Sequence, residues 1–142
     1  MDTAKQVLEH ALETHGGIQR WKTVQHLETN WNFRGNMFKL RLRENQLQNL
    51  KARIWTQKPY VEIDSYLSKG TTSTFSPTHV EIRNADGTNR SRENIRKTFG
   101  GLRTLLWWDD LEMLYFAGYV LWNYSQLPFL LTLPGIVLKE CT

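Results

Sequence analysis

Two adjacent carboxylates, Asp109 and Asp110, stand a short distance ahead of two phenols, Tyr115 and Tyr119. Neighbouring carboxylates can hold their pKa values apart, so that one is free to take a proton. The enzyme-like reading therefore makes Asp109 or Asp110 a base and Tyr115 or Tyr119 an acid. A second chemistry uses the same stretch as a pocket. Trp108, Tyr115, Tyr119, Trp122 and Asn123 place hydroxyl and amide tips on an aromatic surface, the mix that holds an amphipathic ligand. Trp31 and Phe33, alternating on an earlier apolar run, would extend its wall. A third reading is architectural: Asp109 or Asp110 suits a helix N-cap, Glu112 suits the first turn, and the rings fill the space between helix and sheet. Adjacent residues do not face each other on a helix. We therefore take Asp109 and Asp110 as helix caps and assign no catalytic residue.

Other catalytic and metal-binding patterns are missing from the sequence. His10 and His15 lie five apart and do not share a helix face; His26 and His79 fall in strand-like runs. There is no H-E-x-x-H and no nucleophile elbow. A single cysteine, Cys141, excludes an internal disulfide framework and a cysteine-based zinc cluster. No metal and no cofactor are implied.

The charge is unevenly placed. The chain carries 18 Lys and Arg against 14 Asp and Glu. Residues 89–103 hold five basic side chains (Arg90, Arg92, Arg96, Lys97, Arg103) and one acidic, while the 39 residues after them hold one basic and four acidic. Single-strand nucleic-acid binding would interleave aromatics with these cations, and only Phe99 is there. Nucleic acid is excluded on that ground. Residues 89–103 read as a loop or as an edge strand plus loop; a solvated basic loop is the expectation, with contact to an anionic ligand or headgroup as the next.

The elements that must position these residues follow from periodicity. Residues 3–15 read as a helix: Val7, Leu8, Ala11 and Leu12 form one stripe, Thr3 or Asp2 caps it, and Gly16-Gly17 stops it. Ile18 and Trp21 face the same way on a short helical turn. Strands are expected over about 25–84. Leu27, Thr29, Trp31 and Phe33 alternate with polar residues, Gly35-Asn36 reads as a hairpin turn, and Phe38, Leu40 and Leu42 alternate after it. Leu50, Ala52 and Ile54 repeat the pattern, then Val61, Ile63 and Leu67, then "TTSTF", and "HVEIR" closes on Asp86-Gly87. One apolar and one wet face indicate an antiparallel meander.

The segment 109–131 is apolar on every side if helical. Such a helix is buried all round, which in a small α+β domain places it inside a curved sheet. Gly118 within it marks either a weak point or close backbone packing. Uninterrupted apolar residues run only from Met113 to Trp122, short of the ~20 a membrane-spanning helix needs. No secretion signal is visible at the N-terminus, so a cytoplasmic location is expected.

Two blocks also carry a resemblance. "ALETHGGIQRW" (His15, Gly16, Gly17, Trp21) and "WWDDLEMLYFAGYVLWNYSQLPFLLTLPG" (Trp108 to Leu111, Leu114 to Tyr124, Pro128 to Leu131, Pro134-Gly135) resemble a family of uncharacterised bacterial proteins. Val120 stands where that family commonly has Ala. The family is similar to the lipoprotein-carrier superfamily typified by the periplasmic lipoprotein chaperone. The resemblance implies a curved antiparallel half-barrel plugged by helices, with acyl chains as the cargo of the wider superfamily. It brings no catalytic residues. It also implies further strands past Pro134-Gly135, so the chain would correspond to an N-terminal portion of the fold, with a terminal strand beginning over 135–140.

The expectation is thus one α+β domain over 1–142: an N-terminal helix, then a curved antiparallel meander wrapped on a buried apolar helix. Its function would be non-catalytic binding of a hydrophobic or amphipathic, lipid-like ligand. The alternatives are an interaction module, including a homo-oligomer joined through unpaired strand edges, a truncated non-functional product, and the Asp/Tyr enzyme.

Overall fold

The computed structural model of the chain describes residues 3–36, 38, 47–100 and 102–139. Helix α1 (Ala4–Thr14) begins at Thr3, whose hydroxyl accepts from the Gln6 N–H while the Gln6 side chain accepts from the Thr3 N–H. This reciprocal cap satisfies two otherwise orphaned donors. Gly16 and Gly17 follow at φ 92 and 83, a left-handed pair that turns the chain into α2 (Ile18–Thr23).

Six strands then form one open antiparallel sheet in chain order: β1 (His26–Trp31), β2 (Leu50–Trp55), β3 (Val61–Asp64), β4 (Thr72–Phe75), β5 (His79–Arg83) and β6 (Asn89–Glu93). The period-2 pattern explains the faces. Leu50, Ala52, Ile54, Val61, Ile63, Ser73, Phe75, Val80 and Ile82 all point into the core. The opposite face carries charge pairs such as Arg53 with Glu28 at 2.8 Å. Between strands and the last helix lie a 3-10 turn (Ile95–Phe99) and α3 (Leu102–Leu106). Helix α4 (Asp110–Gln126) runs across the sheet's inner face and touches β2, β3, β4 and β5. A second 3-10 turn (Phe129–Thr132) follows the cis Leu127-Pro128 peptide.

Gly118 sets how closely α4 approaches the sheet. A Cβ there would lie 2.3 Å from Cγ and 2.4 Å from Cβ of Phe75 on β4. Those ring-root atoms cannot swing aside, so the helix backbone rests directly on the strand. Among the described residues no helix is long and apolar enough to cross a membrane.

Several expectations are corrected. Gly35-Asn36 is not a two-residue hairpin. Asn36 and Phe38 are helical, and β1 pairs directly with β2, in register from His26 opposite Trp55 to Trp31 opposite Leu50. Phe38 is instead drawn into the core, its ring 6.2 Å from Phe33 and 6.0 Å from Phe116. Leu40 and Leu42, expected to continue that strand, lie outside the described residues. Leu67 is not a strand residue either. Ser65 and Leu67 both have positive φ, which breaks the alternation after Asp64 and turns Tyr66 inward instead.

In the basic segment the structure takes the second alternative, an edge strand followed by irregular and helical turns, rather than a loop throughout. The Asp86-Gly87 turn folds Asn89–Glu93 back onto β5 as an edge strand, a place where a polar sequence can pair because one side faces water. Residues 136–139 form no strand; Ile136, Val137 and Leu138 are exposed in irregular chain.

Candidate functional site

The two ends of α4 are built differently, and each gathers residues that the sequence singles out. At the N-terminal end Asp109 is the N-cap. Its carboxylate accepts from the Glu112 N–H at 2.8 Å, and the Glu112 side chain accepts from the Asp109 N–H at 3.0 Å. Asp110 is not a cap. It is the first helical residue, and its carboxylate pairs with Arg90 at 3.1 Å.

The basic block supplies the remaining partners. Arg92 donates to Asp109 at 2.7 Å and its second nitrogen lies 3.9 Å from Glu112. Arg103 grips the fully buried Glu112 with both terminal nitrogens, one at 3.2 Å and the other closer. Burial works to raise the Asp109 carboxyl, but the Arg92 guanidinium and the helix N–H groups outweigh it and hold its pKa below the usual aspartate range. Side-chain hydrogen bonding to Glu112 pushes Arg103 up in turn. Asp109 and Glu112 are therefore committed to arginines and backbone N–H groups. A carboxylate held below its ordinary pKa is a weak proton acceptor at neutral pH, so the geometry argues against Asp109 as a base.

The expected pocket residues divide. Trp108 and Tyr115 are core. The Trp108 indole donates to the Thr104 carbonyl at 2.7 Å, and Tyr115 lies against Phe75 and Phe99, with burial raising its hydroxyl's pKa. Trp31 and Phe33 stack on each other at 6.0 Å; the Trp31 Nε1 is buried without a hydrogen-bond partner among the described residues. Tyr119 is half exposed, and Asn123 spends its amide on the Tyr119 carbonyl within its own helix at 2.7 Å. Among the described residues these aromatic side chains pack ring against ring rather than around one shared cavity.

Among the described residues, an open groove with apolar walls lies at the other end of α4. This groove of about 290 Å³ runs between α2, the β2–β3 turn, the last turn of α4 and the Phe129–Thr132 turn. Of the residues expected from sequence, only Trp122 lines it. Ile18 and Trp21, one helical turn apart on α2, form one wall, and Pro59 lies on the β2–β3 side. Leu130 and Leu133 close the far wall. The Phe129 ring stacks on Trp21 with centroids 4.1 Å apart and planes 5° from parallel. One shared indole N–H of Trp122 reaches the carbonyls of Trp55 and Lys58, each at 2.9 Å, which fixes this ring to the turn. Thr56 spends its hydroxyl on the Val24 and Gln25 carbonyls. Lys22 is the one charged residue along the groove, and it has no ion-pair partner among the described residues.

Sequence reasoning missed the groove because its walls come from three separate segments. The signal within reach was Ile18 and Trp21 sharing a face on a helix too short to bury both. Among the described residues no group of His, Cys, Asp or Glu is placed to hold a metal ion. No protein-family model, no curated protein and no solved structure matches the chain.

Proposed function

We propose that the protein binds a hydrophobic or amphipathic small molecule, without transforming it, in the groove between α2 and the C-terminal end of α4. The observation that carries this reading is the groove itself: a cavity of about 290 Å³ whose aromatic and aliphatic walls are interspersed with Lys22, Thr56, Gln57, Gln126 and Thr132. That size sits at the small end of ligand pockets, which run ~300–1,000 Å³. It suits a single alkyl chain. The resemblance of the Trp108–Gly135 block to a bacterial family that is itself similar to lipid-carrying half-barrels would imply the same ligand class. The pairing of Asp109 with Arg92, of Asp110 with Arg90 and of Glu112 with Arg103 counts against the enzyme reading at the head of α4.

The test is titration of the isotope-labelled protein with decanol and with decanoate, followed by the indole and backbone N–H signals. Shifts confined to Trp21, Trp122 and residues 129–133 are expected. No shift with either chain, or shifts centred on Tyr119 and Tyr124 instead, would remove the reading.

A second reading, contact with another chain through a strand edge, is supported by one observation. β1 and β6 end the sheet with no further strand beside them among the described residues, and such edges pair readily. A monomer by light scattering at high protein concentration would count against it.

A further inference from the structure

Resting on the ligand-binding reading above, we infer that the groove selects an anionic amphiphile: one alkyl chain of roughly ten carbons or fewer, ending in a negatively charged headgroup that pairs with Lys22. Three observations lead there. The walls provide apolar surface for a chain and, among the described residues, no carboxylate to repel an anion. Lys22 is the groove's only charged lining residue and has no ion-pair partner among the described residues, whereas Arg90, Arg92 and Arg103 are paired at the head of α4 and Arg53 with Glu28. The volume bounds how much of a chain the groove can enclose. At ~30 Å³ for each water-sized group, about 290 Å³ holds roughly ten such groups.

The placement of Lys22 fits the role. It sits on α2 directly beside Trp21, whose ring stacks on Phe129 in the groove wall. Its aliphatic stem can follow the apolar wall while the ammonium stays at the water boundary. A chain lying against Trp21 and Trp122 would then leave its charged end at the mouth, where it keeps most of its hydration. The ammonium is a compact point charge and does not demand a bidentate planar partner, so carboxylate and phosphate heads are both accepted. The chain gives the affinity and Lys22 the preference for charge.

The experiment compares Lys22→Gln with the unaltered protein in titrations with decanol, decanoate and decyl phosphate. Lys69→Gln, a lysine lost from the β3–β4 loop away from the groove, controls for net charge. An exposed ion contact is worth ~0.2–1 kcal/mol, so Lys22→Gln is expected to weaken decanoate and decyl phosphate about two- to fivefold while leaving decanol unchanged. Loss for only one of the two anions identifies the headgroup. Equal loss from Lys69→Gln, or no change in any anion with decanol still bound, overturns the role of Lys22 but leaves the ligand-binding reading standing. Failure of all three ligands to bind overturns both.

Discussion

The two ends of α4 solve opposite problems. The N-terminal end collects charge. Asp109, Asp110 and Glu112 meet Arg90, Arg92 and Arg103, with Glu112 wholly buried and its Arg103 partner half exposed. The C-terminal end collects rings. Trp21, Trp122 and Phe129 border an open groove in which Lys22 is the only charge. The residues that look reactive on paper are thus tied down by ion pairs, and the apolar groove belongs to residues that look like ordinary packing. A helix N-terminus attracts carboxylates because its free N–H groups carry partial positive charge. Once arginines from β6 and α3 neutralise those carboxylates, the end becomes a clamp that fastens the edge strand to the helix. At the far end α4 has no such partners, and Pro128, which lacks an N–H, helps stop it there.

The sharpest way to break this contrast is to remove the buried carboxylate. Glu112→Ala deletes half of the capping box and leaves Arg92 and Arg103 without their shared partner. Losing one member of a fully buried pair costs ~3–5 kcal/mol. Arg103 can rehydrate because its side chain is 50% exposed, so the expected loss is smaller, roughly 2–3 kcal/mol. Urea denaturation measures it. A loss under about 0.5 kcal/mol, the range of an ordinary surface change, would mean the cluster holds nothing together.

Asp109 separates capping from charge pairing. Asn caps a helix as well as Asp does, while Ala at such a site costs ~1 kcal/mol. Asp109→Asn should therefore keep the cap and lose only the attraction to Arg92. Because the folded-state pKa of Asp109 lies below its unfolded value, its ionised form adds stability that is complete above the ordinary aspartate range. That contribution fades as pH falls through the lower folded value. The stability advantage of Asp109 over its Asn variant is expected to be largest near neutrality and to vanish in strong acid. An advantage that stays constant from neutral to acidic pH would show that Arg92 does not act through charge.

The architecture was legible where periodicity is strong. The apolar alternation of Leu50, Ala52 and Ile54 and of Val61 and Ile63, and the helical run from Asp110, reappear as inward faces and as α4. Gly118 was readable as close packing, though not against which residue, since Phe75 lies over forty positions away. Local pattern failed where a distant contact decides. Gly35-Asn36 looks like a turn until Phe38 finds Phe33 and Phe116. The basic segment looks solvated until three of its arginines find the head of α4. That pairing had a visible trace, a basic block standing just ahead of an acidic one, but charge order along a chain does not say which guanidinium meets which carboxylate. The aromatic surplus was visible too; which rings are filled in and which stay open depends on how three segments meet.

The smallest expected effect tests the groove end alone. Trp122→Phe keeps a ring in place but removes the N–H that reaches the Trp55 and Lys58 carbonyls. One shared hydrogen bond is worth ~0.5–1.5 kcal/mol, and carbonyls close to the surface recover part of it from water, so a loss near ~0.5 kcal/mol is expected. Unlike the change at Asp109, this loss should be independent of pH between neutrality and strong acid, because no acidic residue lines the groove. The smaller ring also widens the cavity beside Trp21, so the alkyl chain of decanol should bind more weakly while the preference conferred by Lys22 persists. A pH-dependent loss, or unchanged binding of decanol, would show that the two ends of α4 are coupled or that the chain does not lie against Trp122.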